Sequence, residues 1–134
     1  MLKKHQIKTT FNQLVPIHEV IKQDVKNSGV EEGLCVVYCP HTTAGLTITS
    51  RMDPRGLDDI QDEYTKLIPT RIDFKHQVDT PQDAAGHIKA TLSGDSLSLI
   101  VTGGKLLLGG SQGIYFMEFD GPRSRNYFVK VIGD

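Results

Sequence analysis

The sequence predicts a single α+β domain spanning residues 1–134, with a mostly antiparallel β-sheet and two to three helices packed on it. Three observations lead there. The second half is a series of short runs of β-branched, aromatic and aliphatic residues, separated by Gly-rich or Gly-Pro turns. The helical patterns do not alternate regularly with the strand patterns, which argues against a doubly wound parallel sheet. A chain of 134 residues with 38% hydrophobic content is large enough for one real core, whereas two domains would each be near the lower size limit.

In chain order, "LKKHQIKTT" alternates loosely and reads as an edge-type strand. "PIHEVIKQDVKNSG" sets Ile17, Val20, Ile21 and Val25 at helical spacing, with Pro16 ahead of them and Gly29 as a stop. "GLCVVYC" and "GLTITS" read as strands. "DPRGLDDIQDEYTKLIP" is amphipathic: Leu57, Ile60, Tyr64 and Leu67 share a face, and Pro69 ends the helix. "TPQDAAGHIKATLSG" opens on a Thr or Asp cap signal, carries Ala84, Ala85, Ile88 and Leu92, and closes at Gly94. "SLSLIVT", "KLLLG", "GIYFMEFD" and "NYFVKVI" follow as short strands.

Composition excludes several classes. The net charge is -1, from 15 basic and 16 acidic residues, and no Lys/Arg run makes a phosphate-tracking stripe, so no nucleic-acid partner is expected. No apolar stretch approaches the ~18 residues that span a bilayer, and the N-terminus lacks an apolar signal-peptide core. A soluble, cytoplasmic protein with no membrane partner is the expectation. Cys35 and Cys39 lie four apart in a strand, about 13 Å between Cα atoms. That spacing excludes a mutual disulfide, so both are read as buried, inert thiols.

Candidate chemistry begins at "YCPHTTAGLTIT", where the chain leaves one apolar strand, presents His41, Thr42 and Thr43, and enters another. His76 follows "RIDFK" in a weakly patterned stretch. His87 sits in a helix beside Gly86, a residue that costs about 1 kcal/mol in a helix interior and so suggests close approach of a backbone or ligand. Neutral imidazole ligates zinc and similar metals, although no paired-histidine or paired-cysteine motif is present. Satisfied surface or core histidines are the plainer reading. Asp53 and Asp83, each in a loop or cap, are the acidic candidates; the other carboxylates around Asp58–Glu63 read as a solvated helix face.

"GGKLLLGGSQG" carries five glycines but fails the P-loop pattern, since Leu106 follows Lys105. Turns between strands explain it, apart from Gln112, whose amide suits a ligand contact. Arg123 and Arg125 follow Asp120-Gly121-Pro122; two apart in an extended segment, they point to one side and form an anion clamp or a solvated, salt-bridged hairpin end.

Taken together, "HTTAGLTI", His76, "DAAGHIKATLSG", "GGKLLLGGSQGIYFMEFDGPRSR" and the final strand resemble the YjbQ-like family, over nearly the whole chain and in order. The resemblance implies a homotrimer and a secondary thiamine-phosphate synthase activity on a small phosphorylated ligand. It implies a site built from His41, Thr42, Thr43, His76, Asp83, His87, Gln112, Arg123 and Arg125. In that reading His41, His76 and His87 hold a divalent metal, zinc or magnesium, or act with Asp83 in catalysis. The family usually has Asn-Glu where Ser50-Arg51 stands here, and Trp where Ser111 stands. The alternatives are a non-catalytic small-anion or metal-binding protein and a metal-dependent hydrolase.

Overall fold

A computed structural model describes residues 1–134. The chain runs β1 (Leu2–Thr9), β2 (Leu14–Pro16), α1 (His18–Ser28), β3 (Gly33–Tyr38), β4 (Ala44–Ser50), α2 (Arg55–Leu67), α3 (Pro81–Ser93), β5 (Ser96–Thr102), β6 (Lys105–Leu106), β7 (Gln112–Glu118) and β8 (Arg123–Gly133). The α+β class with three helices is as the sequence predicts. The strands divide between two sheets, one of five strands in the order β1-β8-β3-β5-β6 and one of three in the order β2-β7-β4. Every strand pair is antiparallel.

Register places the core between the sheets. On the larger sheet Cys35 stands opposite Leu99 and Val131, and Val37 opposite Val129. On the smaller sheet Leu46 pairs with Phe116 and Ile48 with Ile114. These residues form one apolar cluster with Ile17, Ile21 and Val25 of α1. Each fully buried aliphatic side chain contributes about 1.5–3 kcal/mol. Both cysteines are free and buried there, and burial pushes each thiol up to about 11. The inert-thiol reading is consistent with that.

β7 is buried on both faces. Ile114 and Phe116 meet the inter-sheet core, while the opposite phase of β7 and β4 faces the helix layer. A Cβ on Gly45 of β4 would stand 2.3 Å from the Ser93 hydroxyl and 2.7 Å from the Gly94 carbonyl, so glycine is what lets α3 lie against that strand. Ala84, Ala85, Gly86 and Lys89 form the buried face of α3, whereas Ile88 and Leu92 are exposed. Small residues permit the closest approach to a sheet, so they take the inner face and the larger apolar residues turn outward. α2 has no fully buried residue; Tyr64 stacks on Phe119 at 5.5 Å, while Leu67 is exposed. β2, not read from the sequence, is a short edge strand whose Pro16 precedes α1. No helix is long and apolar enough to cross a membrane.

Candidate functional site

The start of α3 gathers the polar residues. Thr80 caps the helix by accepting from the Asp83 backbone N–H at 3.1 Å, as the sequence signal indicates. Asp83, only 6% exposed, turns its carboxylate toward two histidines. His87 follows one helical turn later, and its Nε2 lies 3.1 Å from Asp83 Oδ2. His76, from the segment before α3, brings its Nε2 to 3.2 Å from the same oxygen. The two rings meet edge-on with centroids 5.1 Å apart. Gly86 makes this placement possible. A Cβ there would stand 3.1 Å from the Phe119 carbonyl and 3.3 Å from Thr43, so a backbone explains the glycine.

The hydrogen pattern at His87 carries chemical meaning. Nδ1 lies 3.0 Å from the Thr42 carbonyl, which only accepts, so Nδ1 carries the hydrogen. In the neutral ring Nε2 is then a bare lone pair facing a carboxylate oxygen. Two acceptors at 3.1 Å repel unless a positive centre joins them, either a proton on the ring or a metal ion. One ligand atom from each of His76, Asp83 and His87 lies within 4.8 Å of the others. Bonds of about 2.1 Å at tetrahedral angles put ligand atoms about 3.4 Å apart, close to the two contacts seen. Two imidazoles and one carboxylate suit zinc or a similar borderline metal, while magnesium favours an all-oxygen set. Three protein donors leave a fourth position open.

His41 is not one of the three donors. Its Nε2 accepts from the Asn126 backbone N–H at 2.9 Å, which occupies that lone pair. Burial, with Arg125 nearby, pulls its pKa below the ordinary 6.5, so the ring is held neutral. The three histidines therefore do not gather at one point: His76 and His87 meet at Asp83, while His41 is bonded to the backbone. His41 still lines, with Thr42, Ala90, Asp95 and His87, an open cleft of about 540 Å³.

The arginines part company. Arg125 is sealed inside. It donates Nε–H to Glu118 Oε1 at 2.7 Å and a second N–H to Thr43 Oγ1 at 2.7 Å. Glu118 also accepts from the Thr9 hydroxyl and the Asp120 backbone N–H. This buried network uses Arg125 and Thr43 for structure, which leaves no clamp of two free guanidiniums. Arg123, with its side chain 43% exposed, pairs with Asp120 at 2.7 Å and stands 3.9 Å from Asp83 Oδ1. The bond to Asp120 holds its pKa above the usual range despite some desolvation. Gln82 completes this corner by donating to Asp120 at 2.7 Å and to the Gly121 carbonyl at 3.0 Å. Gly121 itself has φ 90°, a left-handed value that favours glycine.

Two other candidates lie elsewhere. Gln112 accepts from Gly109 N–H at 2.8 Å, at the far end of β7 from the histidines. Asp53 pairs with Arg55 in solvent at 3.1 Å, and that contact lowers its pKa. Sequence reasoning missed Glu118 and Gln82. A carboxylate inside the apolar run "IYFMEF" was the available signal for Glu118; nothing in the pattern singles out Gln82.

The profile of the family described as "UPF0047 protein YjbQ-like" matches residues 3–134. The UPF0047 protein MJ1081 of Methanocaldococcus jannaschii is 47% identical over 135 residues, covering 100% of this chain and 96% of its own. The UPF0047 protein YugU of Bacillus subtilis is 38% identical, covering 99% and 100%. Among solved structures, an uncharacterized YjbQ/UPF0047 protein from Clostridium acetobutylicum superposes with TM-score 0.91 at 45% identity, covering 97% of this chain and 99% of that one. A hypothetical protein from Aeropyrum pernix gives TM-score 0.93 at 33% identity, covering 100% and 99%.

Proposed function

The chain belongs to the YjbQ-like UPF0047 family, and from that premise we propose that it is a metal-dependent enzyme acting on a small phosphorylated ligand at His76, Asp83 and His87. The observation that carries this reading is the bare Nε2 of His87 facing Asp83 while its Nδ1 is committed to Thr42. A bound divalent ion would supply Lewis acidity toward a phosphoryl oxygen and a bound water of lowered pKa. The chain's own residues do the rest. Thr42 fixes the His87 tautomer, and Asp83 draws both imidazoles to one point. Arg123 binds an oxygen of the phosphate through the donors that Asp120 leaves free. His41, neutral and with Nε2 accepting from the backbone, carries its hydrogen on Nδ1 and lines the cleft beside His87.

Transfer between thiamine precursors, the activity implied by resemblance, asks for the same Arg123 and the same metal. It remains one member of a wider class of phosphate-ester and diphosphate reactions. The test is metal analysis of the purified protein, then a screen of phosphate esters, diphosphates and the paired thiamine precursors, with and without chelator. Stoichiometric zinc-type metal and chelator-sensitive turnover are expected. Metal without turnover would make it a binding protein. No metal in the wild type, and the same result for His87→Ala, would end the reading.

We also propose that the chain assembles with copies of itself, with the trimer number taken from resemblance. Leu34 stands beside Ile100 and Ile132 in cross-strand register on the outer face of the five-stranded sheet, all about half exposed. A monomer mass by light scattering at every concentration would reject this.

A further inference from the structure

We propose a second ligand site, an anion-binding cavity at the opposite end of β4 from the histidines, that takes an organic phosphate of nucleotide size. The histidine site lies beyond Ala44, and the cavity lies beyond Ser50. Six residue steps at about 3.3 Å set the two ends about 20 Å apart. The cavity measures about 690 Å³, within the usual 300–1,000 Å³ of small-molecule sites. Its walls come from the C-terminal half of α1, the β5–β6 turn and the glycine segment before β7, the stretch that a phosphate-loop pattern fails to explain.

Lys22, Lys26, Arg51 and Lys105 line it against one carboxylate, Glu31. Lys22 is paired with Glu19 at 3.4 Å, and Arg51 gives one N–H to the Gly110 carbonyl at 2.8 Å. No carboxylate lies within salt-bridge distance of Lys26 or Lys105. The neighbouring Glu32 is occupied by the Thr102 hydroxyl and the Gly103 N–H. The end of α1 adds partial negative charge, which Lys26 in its last turn offsets. Val25, Val30, Leu106 and Leu108 supply apolar wall. Excess positive charge beside an aliphatic bed selects an anion with an apolar body over a bare ion.

The test uses adenosine diphosphate, with pyrophosphate and adenosine as separate arms, followed by titration calorimetry and amide chemical shifts. The diphosphate nucleotide should bind more tightly than either fragment, shifting the amides of Gly103, Gly104, Gly109 and Gly110. Lys26→Gln with Lys105→Gln should weaken it about tenfold or more, and Arg51→Glu should abolish saturable binding. Glu31→Gln should tighten it severalfold, a sign that general destabilisation does not produce. Gly110→Asp gives a second variant, since a Cβ there meets open space. Shifts confined to Thr42 and Gly121, with loss on Arg123→Ala, would assign the ligand to the histidine site and overturn this proposal alone. Absence of saturable binding at millimolar nucleotide, or binding indifferent to the cavity variants, would also overturn it. So would glycine amides that respond to protein concentration rather than ligand, which would mark a contact between copies.

Discussion

Arg123 and Arg125 are two residues apart, yet substituting them should separate binding from folding. Arg125 is 5% exposed and makes charge-assisted bonds to Glu118 and Thr43. Replacing it with Met fills most of its volume but leaves the Glu118 carboxylate buried. Breaking a buried pair from one side costs about 3–5 kcal/mol. Glu118 keeps the Thr9 hydroxyl and the Asp120 N–H, so the lower figure, about 3 kcal/mol, applies. At about 4 °C per kcal/mol for a chain of this size, Tm should fall about 12 °C. Arg123→Ala removes a half-exposed ion pair, and Gln82 still satisfies Asp120, so the loss should stay near 1 kcal/mol or below. Diphosphate binding at the histidine site should nevertheless weaken about tenfold or more, equivalent to about 1.4 kcal/mol. Denaturant unfolding and calorimetric titration of both variants give the two readouts, with Arg125→Met/Glu118→Met expected to recover part of the stability. If Arg125→Met unfolds like the wild type, the buried network is not what holds β7 to β8. If Arg123→Ala binds diphosphate unchanged, Arg123 serves only Asp120.

Asp83→Asn should lower zinc affinity at least about tenfold, read by chelator competition, because the amide cannot offer the shared anionic oxygen. His41 should make the fold acid-sensitive: its pKa is lower folded than unfolded, so the unfolded chain binds more protons and stability rises with pH up to about 6.5, then levels. His41→Gln should flatten that part of the stability curve; an unchanged curve would place the acid sensitivity elsewhere. Gly86→Val should push α3 from Phe119 and Thr43, costing about 1–3 kcal/mol and weakening metal binding with it, whereas Gly56→Ala, in open space on α2, should do neither.

The sequence by itself determined the class and the local grammar. Period-2 and period-3.6 patterns, the Thr80 cap and the Gly29 stop act within a few residues, so the chain carries them wherever it folds. It also marked His76, His87, Asp83 and Arg123, because their settings are locally unusual. Tertiary structure decided which of them meet. His41 lines a cleft with His87, but a backbone N–H 85 positions along the chain takes its Nε2, and Asp83 is the group that meets His76 and His87. Arg125 looked equivalent to Arg123 until Glu118, from β7 of the other sheet, enclosed it. Which face of α3 is buried was not legible, because hydrophobicity does not report how near a sheet lies; Gly45 and Gly86 set that distance, and at close range small residues take the inside. Local propensity is a property of neighbours in sequence, whereas a donor's free lone pair and a side chain's burial depend on contacts made across the whole chain.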